Sequence, residues 1–221
     1  MADGTVRRGR PPDTDPAETR RRIIDAARHE FAAHGYVAAT NRTIAAAAGL
    51  TTGAVYHHYS SKTELYLAVY IDVHDRVYGE FTATAAGLAS FIAMFDAVLD
   101  AAAAMNAKDP TMAAFIGAAR VDRRRHAELA AAIPDDRVRR ARFFGELIDV
   151  GMATGEIGAD RRAEVAALVD ALIVGLNDSG SDDQQRQLAT ISSIKAMMRT
   201  FVRPLDSAMV RRRGRRPVRV D

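Results

Sequence analysis

Between residues 17 and 34 apolar side chains return every third or fourth position: Ile23, Ile24, Ala27 and Phe31, with His34 in the same series. That period predicts a helix, and Gly35 suits the residue just past its end. A shorter segment follows, Asn41 to Ala48, with Thr40 as N-cap and Ile44, Ala47 and Ala48 as the inward face. Gly49 ends it. A few residues on, Thr51 or Thr52 can cap a third helix running to Tyr59. Two short helices joined by so tight a glycine turn cannot lie antiparallel; they cross steeply, as in a helix-turn-helix. Val55 and Tyr59, one turn apart, are expected to face Leu50, Ile44 and Phe31. Thr52, Gly53, Tyr56 and His57 then form the outer face. Ser61-Lys62-Thr63-Glu64 reads as a capping box. It opens a fourth helix, from Lys62 to about Phe81, that is apolar on more than one side and so is expected between two layers.

Every later pattern is also helical. One stripe holds Phe91, Phe95, Val98, Ala102 and Met105. Pro110 opens a segment ending near Ile133, and Pro134-Asp135 starts another with Phe143, Phe144, Leu147, Val150 and Met152. Gly151, Gly155 and Gly158 are expected to loosen the chain, and Asp160 to cap a helix bearing Val165, Leu168, Val169, Leu172, Ile173 and Leu176. The last helix carries Leu188, Ile191, Ile194, Met198, Phe201, Val202 and Leu205. Nothing alternates at period two for long. The expected fold is all-α: a three-helix helix-turn-helix domain over 17–66, a connecting helix over 67–81 and a helical domain over 82–205. A disordered basic arm (1–16) precedes them and a disordered basic tail (206–221) follows.

Charge narrows the partners. The net charge is only +3, but the chain is rich in arginine, clustered at 7–10, 20–22, 120–125, 137–142 and 211–219. Such runs make nucleic acid a candidate partner. No cysteine is present, which excludes disulfides and thiol chemistry. The N-terminus lacks the apolar core of a secretory signal. No apolar run approaches the ~20 residues of a membrane span. A cytoplasmic protein with no membrane partner is expected. His57 and His58 are adjacent, so they point about 100° apart on a helix and cannot share a metal ion. No histidine pair has the i, i+4 spacing of a helical zinc site. No metal, no cofactor and no catalytic residues are expected.

The stretch from Thr19 to about Tyr66 resembles the DNA-binding domain of the tetracycline-repressor (TetR) family. The resemblance rests on Ile23-Ile24-Asp25-Ala26-Ala27, His34-Gly35-Tyr36, Thr43-Ile44-Ala45, Ala48-Gly49-Leu50-Thr51, Val55-Tyr56 and Ser61-Lys62-Thr63-Glu64-Leu65. Thr52 stands where the family often has a basic residue, and Asn41-Arg42 where it usually has an apolar one. A recognition helix enters the major groove with small residues first, here Thr51, Thr52, Gly53 and Ala54. His57 is expected at base edges and Tyr56, His58 and Lys62 at phosphates, with Arg42 beside them. Arg7, Arg8 and Arg10, in an Arg-Gly-Arg-Pro stretch, are similar to an AT-hook core that lies in the minor groove.

The resemblance further implies a homodimer formed by the last two helices, through Val165, Leu168, Val169, Leu172, Ile173, Leu176, Leu188, Ile191, Ile194, Met198, Phe201 and Leu205. It implies a small-molecule effector, taken as apolar or amphipathic, among Phe91, Phe95, Val98, Ala102, Met105, Met112, Phe115, Phe143, Phe144 and Met152. The function expected is a homodimeric repressor that leaves a near-palindromic DNA operator when the effector binds. The alternatives are a nonspecific nucleoid-type DNA binder and an all-helical enzyme with a DNA-binding head.

Overall fold

The computed structural model describes residues 15–178 and 184–202. Ten α-helices and one short 3-10 turn make up its secondary structure, with no strand among the described residues. Helix α1 (Pro16–Ala38) starts one residue earlier than the periodicity suggests, with Pro16 in its first turn and Asp15 accepting from the Ala17 amide. Gly35 breaks it with φ 72°, a left-handed conformation that glycine adopts without a Cβ penalty. The stop is where the sequence puts it, and residues 36–38 form one further turn. His34 is exposed rather than on the apolar face.

Helices α2 (Asn41–Ala47) and α3 (Thr52–His58) follow. Gly49, at φ 65°, makes the turn between them. Ile44 and Ala45 point inward on α2, and Ala47, expected there, is exposed. Helix α4 (Lys62–Ala85) has 24 residues and spans about 36 Å at 1.5 Å per residue. It runs past Phe81 and joins two hydrophobic cores.

The first core lies in the head of the molecule. Phe31, Tyr36 and Tyr66 cluster there, with ring centroids 4.6–6.5 Å apart, over Ile23, Ile44, Val55 and Leu65. Its fourth aromatic, Phe115, comes from α6 (Thr111–Arg125), and Leu129 comes from α7 (Ala127–Ala132). The single segment expected between Pro110 and Ile133 is therefore two helices, parted at His126.

The second core is built by α5 (Phe91–Lys108), α8 (Asp136–Ala153), α9 (Arg162–Asp178) and α10 (Gln184–Val202). Gly151 does not loosen the chain: it is helical and buried, and a Cβ on it would come within 2.7 Å of Phe91 Cβ. Asp160 falls inside a short 3-10 turn (Ala159–Arg161) rather than capping α9.

Candidate nucleic-acid interface

Helix α3 is held by its inner face and presents its outer one. Val55 and Tyr59 are buried, and the Tyr59 hydroxyl accepts a hydrogen bond from Arg20 Nε at 3.2 Å. Burial pushes the Tyr59 phenol pKa up, more than Arg20 lowers it. Arg22 Nη2 donates to the Ala48 carbonyl at 2.6 Å and so satisfies the end of α2 beside the turn. Arg20 and Arg22 thus brace the helix pair from α1. In the sequence they were only part of a charge cluster; their helical spacing of two gave no sign of separate targets.

The outer face of α3 matches the sequence expectation. Thr51 caps the helix, its hydroxyl accepting from the Ala54 amide at 3.2 Å. Thr51, Gly53, Tyr56 and His57 are exposed, and Thr52, Ala54 and His58 are half-buried. Tyr56 is 55% exposed, far more than an aromatic needed for packing would be. The His57 and His58 rings meet edge to face at 5.5 Å, and His58 also borders Tyr59. No group of histidines and carboxylates among the described residues could hold a metal ion. Thr40 and Thr43 cap α2 reciprocally, and Arg42 stands exposed in its first turn. Arg7, Arg8 and Arg10 lie outside the described residues.

Two features at the start of α4 differ from the sequence reading. Lys62 turns back onto the end of α1. Its ammonium donates to the carbonyls of Tyr36 at 2.7 Å, Ala39 at 3.2 Å and Val37 at 3.3 Å, and sits 4.4 Å from the centre of the Tyr36 ring. Three donors meet three acceptors left bare where the chain leaves α1. Burial lowers the Lys62 pKa. The capping box is also shifted. Ser61 accepts from the Glu64 amide, but the Glu64 carboxylate takes the amide and hydroxyl of Ser60, which hold its pKa down.

Residues 23–69, from the middle of α1 into α4, match the family described as "Bacterial regulatory proteins, tetR family". The head of this chain is therefore similar to the DNA-binding domain of the tetR family. Over 54 residues it is 43% identical to the HTH-type transcriptional repressor AcnR of Corynebacterium efficiens; that match covers 24% of this chain and 29% of AcnR. The chain thus spans under a third of the length of such relatives. The HTH-type transcriptional regulator UidR of Escherichia coli is 22% identical over 187 residues, 84% of this chain and 93% of UidR. Among solved structures, Salmonella enterica GusR superposes with a TM-score of 0.65 at 23% identity, covering 86% of this chain and 98% of GusR. A tetR-family regulatory protein from Rhodococcus RHA1 does so at 0.64 and 22%, covering 86% and 99%. The likeness of fold therefore extends far beyond the matched head.

In this chain the residues expected to surround an effector divide. Val98, Ala102 and Phe144 line one slot of about 50 Å³; Ala102, Met105 and Met112 line an adjoining one of about 60 Å³. Phe91 and Phe95 are wholly buried against each other, 5.6 Å apart, and line neither slot. Phe143 packs on Tyr78 and Phe81, and Met152 on the second core. Phe115 belongs to the other core altogether, 5.1 Å from Tyr66.

The expected dimer residues divide as well. Val165, Val169, Ile191, Ile194 and Met198 are buried inside the chain's own second core, closed over by α5 and α8. They are not available to a second copy. Leu168, Leu172, Ile173, Leu176 and Phe201 are half-buried, and Leu188 is 50% exposed. Leu205 lies outside the described residues. Beyond Arg162 and Glu164 in its first turn, α9 shows to solvent Ala163, Ala167, Ala171 and Gly175, at intervals of four. Sequence reasoning missed that row because it sought large apolar side chains.

Proposed function

We propose that this chain is a homodimeric, sequence-specific DNA-binding regulator of transcription, acting as a repressor that a small-molecule effector releases. The observation that carries the DNA reading is the α3 helix itself. Its inner residues are locked by Val55 and Tyr59, while its outer face offers small residues first and then Tyr56 and His57. That is the profile of a helix that approaches base edges closely at its start and reaches phosphates further on. Tyr56 and His58 are assigned to phosphates and His57, with Thr52, to bases. Lys62 supports this surface from beneath rather than touching DNA. The AcnR relatives are named as transcriptional repressors, which supports the same reading for the head.

Dimerisation is supported by the exposed row of Ala163, Ala167, Ala171 and Gly175 on α9, beside half-buried Leu168 and Leu172. Small residues at intervals of four let a second helix approach closely, and α10 adds exposed Leu188 and Met197 nearby. Two recognition helices related by a two-fold axis require a near-palindromic site.

Selection of bound fragments from random DNA by the purified full chain, followed by footprinting, tests the proposal. A symmetric site protected by two chains is expected. Protection of a single unsymmetric half-site would overturn the dimer. Equal affinity for random DNA would replace a regulator with a nucleoid-type binder.

A further inference from the structure

A further cavity among the described residues is not lined by the aromatic and methionine side chains of the second core. It measures about 290 Å³, near the lower end of ligand cavities, and lies between α4, α6, the start of α8 and α9. Five arginines line it, Arg120, Arg123, Arg124, Arg137 and Arg140, against three aspartates. We propose that this cavity binds a small anion through a carboxylate or phosphate group, and that occupancy is passed to the DNA-binding head through α6. The second half rests on the function proposed above; the first does not.

The aspartates are engaged within the protein. Asp170 accepts from Arg140 Nε at 2.7 Å. Asp136 takes Arg140 on one oxygen and His74 Nε2, at 3.0 Å, on the other. Asp135 caps α8 and lies 3.7–3.9 Å from Arg137 and Arg123. His74 is 2% exposed and both its ring nitrogens face acceptors, the second being the Tyr70 carbonyl at 2.8 Å. Both ring nitrogens are therefore taken up within the protein. Burial would raise the Asp136 carboxyl, but the hydrogen bond and charge of His74, with Arg140, outweigh it and hold the pKa low. Positive charge therefore exceeds negative around the cavity. Burial and the neighbouring guanidinium groups of Arg124 and Arg140 lower the Arg120 pKa, as expected where cations crowd. A carboxylate or phosphate is the group that planar guanidinium donors fit best.

Helix α6 has the cavity on one stripe and the head on the next. Ile116, Arg120 and Arg123 line the cavity. Phe115 and Asp122, each one position back and so about 100° around the helix, enter the head, and Ala119 borders both. The buried Asp122 carboxylate accepts from the Tyr36 amide at 2.9 Å and from the Tyr66 hydroxyl at 3.0 Å. Tyr36 directly follows the Gly35 break, and its own hydroxyl and Thr63 are 2.8 Å apart. At the other end of α6, buried Arg28 of α1 donates to Thr111 at 3.0 Å and pairs with Asp109 at 2.7 Å. An anion that draws the arginines of α6 and α8 together shifts the element to which α1 and the turn into α2 are fastened.

Thermal denaturation of the full chain in inorganic phosphate and in malonate, at ionic strength fixed with chloride, tests the binding. At least one is expected to raise Tm saturably by several degrees over chloride, and the stronger one identifies phosphate or carboxylate. Arg124→Gln with Arg137→Gln, both at exposed positions, should abolish the gain. No saturable gain, or a gain that persists in the double variant, overturns the site; persistence would place the anion elsewhere, such as the DNA-binding face. Affinity for a selected DNA fragment is then measured with the stronger anion at saturation. A change of at least several-fold is expected in the unmodified chain and none in the double variant. Unchanged affinity in the unmodified chain overturns the transmission through α6. Normal DNA binding by the double variant without anion would show that the regulator reading survives either failure.

Discussion

The two cores handle polar groups in opposite ways. The second, around Phe91, Phe95, Phe144 and Met198, is apolar within, and its ion pairs, Asp96–Arg199 and Asp100–Lys195, sit at its edge. The head core encloses a carboxylate. Asp122 reaches in from α6 and is met by two donors, among four packed aromatic rings. An apolar core sets its helices by shape alone, because dispersion has no preferred direction. A buried carboxylate with two directed donors fixes one arrangement and penalises others. The head is therefore built to hold α6 in one register, while the second core places no such directional demand on its helices.

Removing an aromatic from each core is the strongest way to break this contrast. Phe31→Ala and Phe95→Ala should each destabilise the chain by about 3–5 kcal/mol, since both are fully buried. The difference lies in what is lost first. Hydrogen exchange of Phe31→Ala should show α1, α6 and α7 opening together, because they share that core. Opening of α1 alone, with α6 still protected, would refute the fastening of α6 to the head.

Asp122→Ala removes the directed contact while leaving the apolar packing almost intact. It leaves the buried Tyr36 amide and Tyr66 hydroxyl without their acceptor, which should cost about 2–6 kcal/mol at 1–3 kcal/mol per orphaned group. The Tyr66 phenol is already pushed far up by burial and by the negative charge of Asp122. In Asp122→Ala it should titrate at lower pH, though still above its ordinary value. Absorbance titration measures this, and an unmoved phenol would mean that the carboxylate is not its partner.

Most of the fold was legible. The starts of α2 to α5 follow from their caps: Thr40, Thr51, Ser61 and Ser90 all cap as their chemistry suggests, whereas α4 runs on to Ala85 past the expected Phe81. The outer face of α3 was legible too, because helical period alone separates Tyr56 and His57 from Val55 and Tyr59. What was hidden depends on contacts distant in sequence. Phe115 meets Phe31 from 84 positions along the chain, and no local pattern marks it as part of the head. A stripe such as Val165 and Val169 reads the same whether its partner is α5 of the same chain or a second copy. Lys62 illustrates the limit most closely. A lysine at a helix start beside a DNA-reading helix suggests a phosphate, yet the carbonyls bared by the Gly35 break lie nearer.

Lys62→Ala separates these two roles. As a brace, Lys62 should contribute about 1.5–3 kcal/mol to stability, the range for hydrogen bonds to a charged group. The log-log salt slope of DNA affinity should then stay as it was, because no phosphate contact is lost. A slope smaller by about one unit with unchanged stability would return Lys62 to the DNA.

The smallest effects should come from the outer face of α3, where nothing structural is at stake. His57→Ala should leave stability within about 0.5 kcal/mol, as expected of an exposed side chain away from the core. If His57 reaches a base edge, the loss falls on the choice between bases. Affinities for a selected operator and its single-base variants should converge at one position by about 1–3 kcal/mol. Tyr56→Phe, which removes only a hydroxyl from a half-exposed ring, should instead weaken all these sequences alike. The two variants therefore have opposite signatures on the same set of DNAs. A uniform loss in His57→Ala would assign that ring to the backbone. A position-specific loss in Tyr56→Phe would place its hydroxyl at a base and reverse the roles given to the two residues.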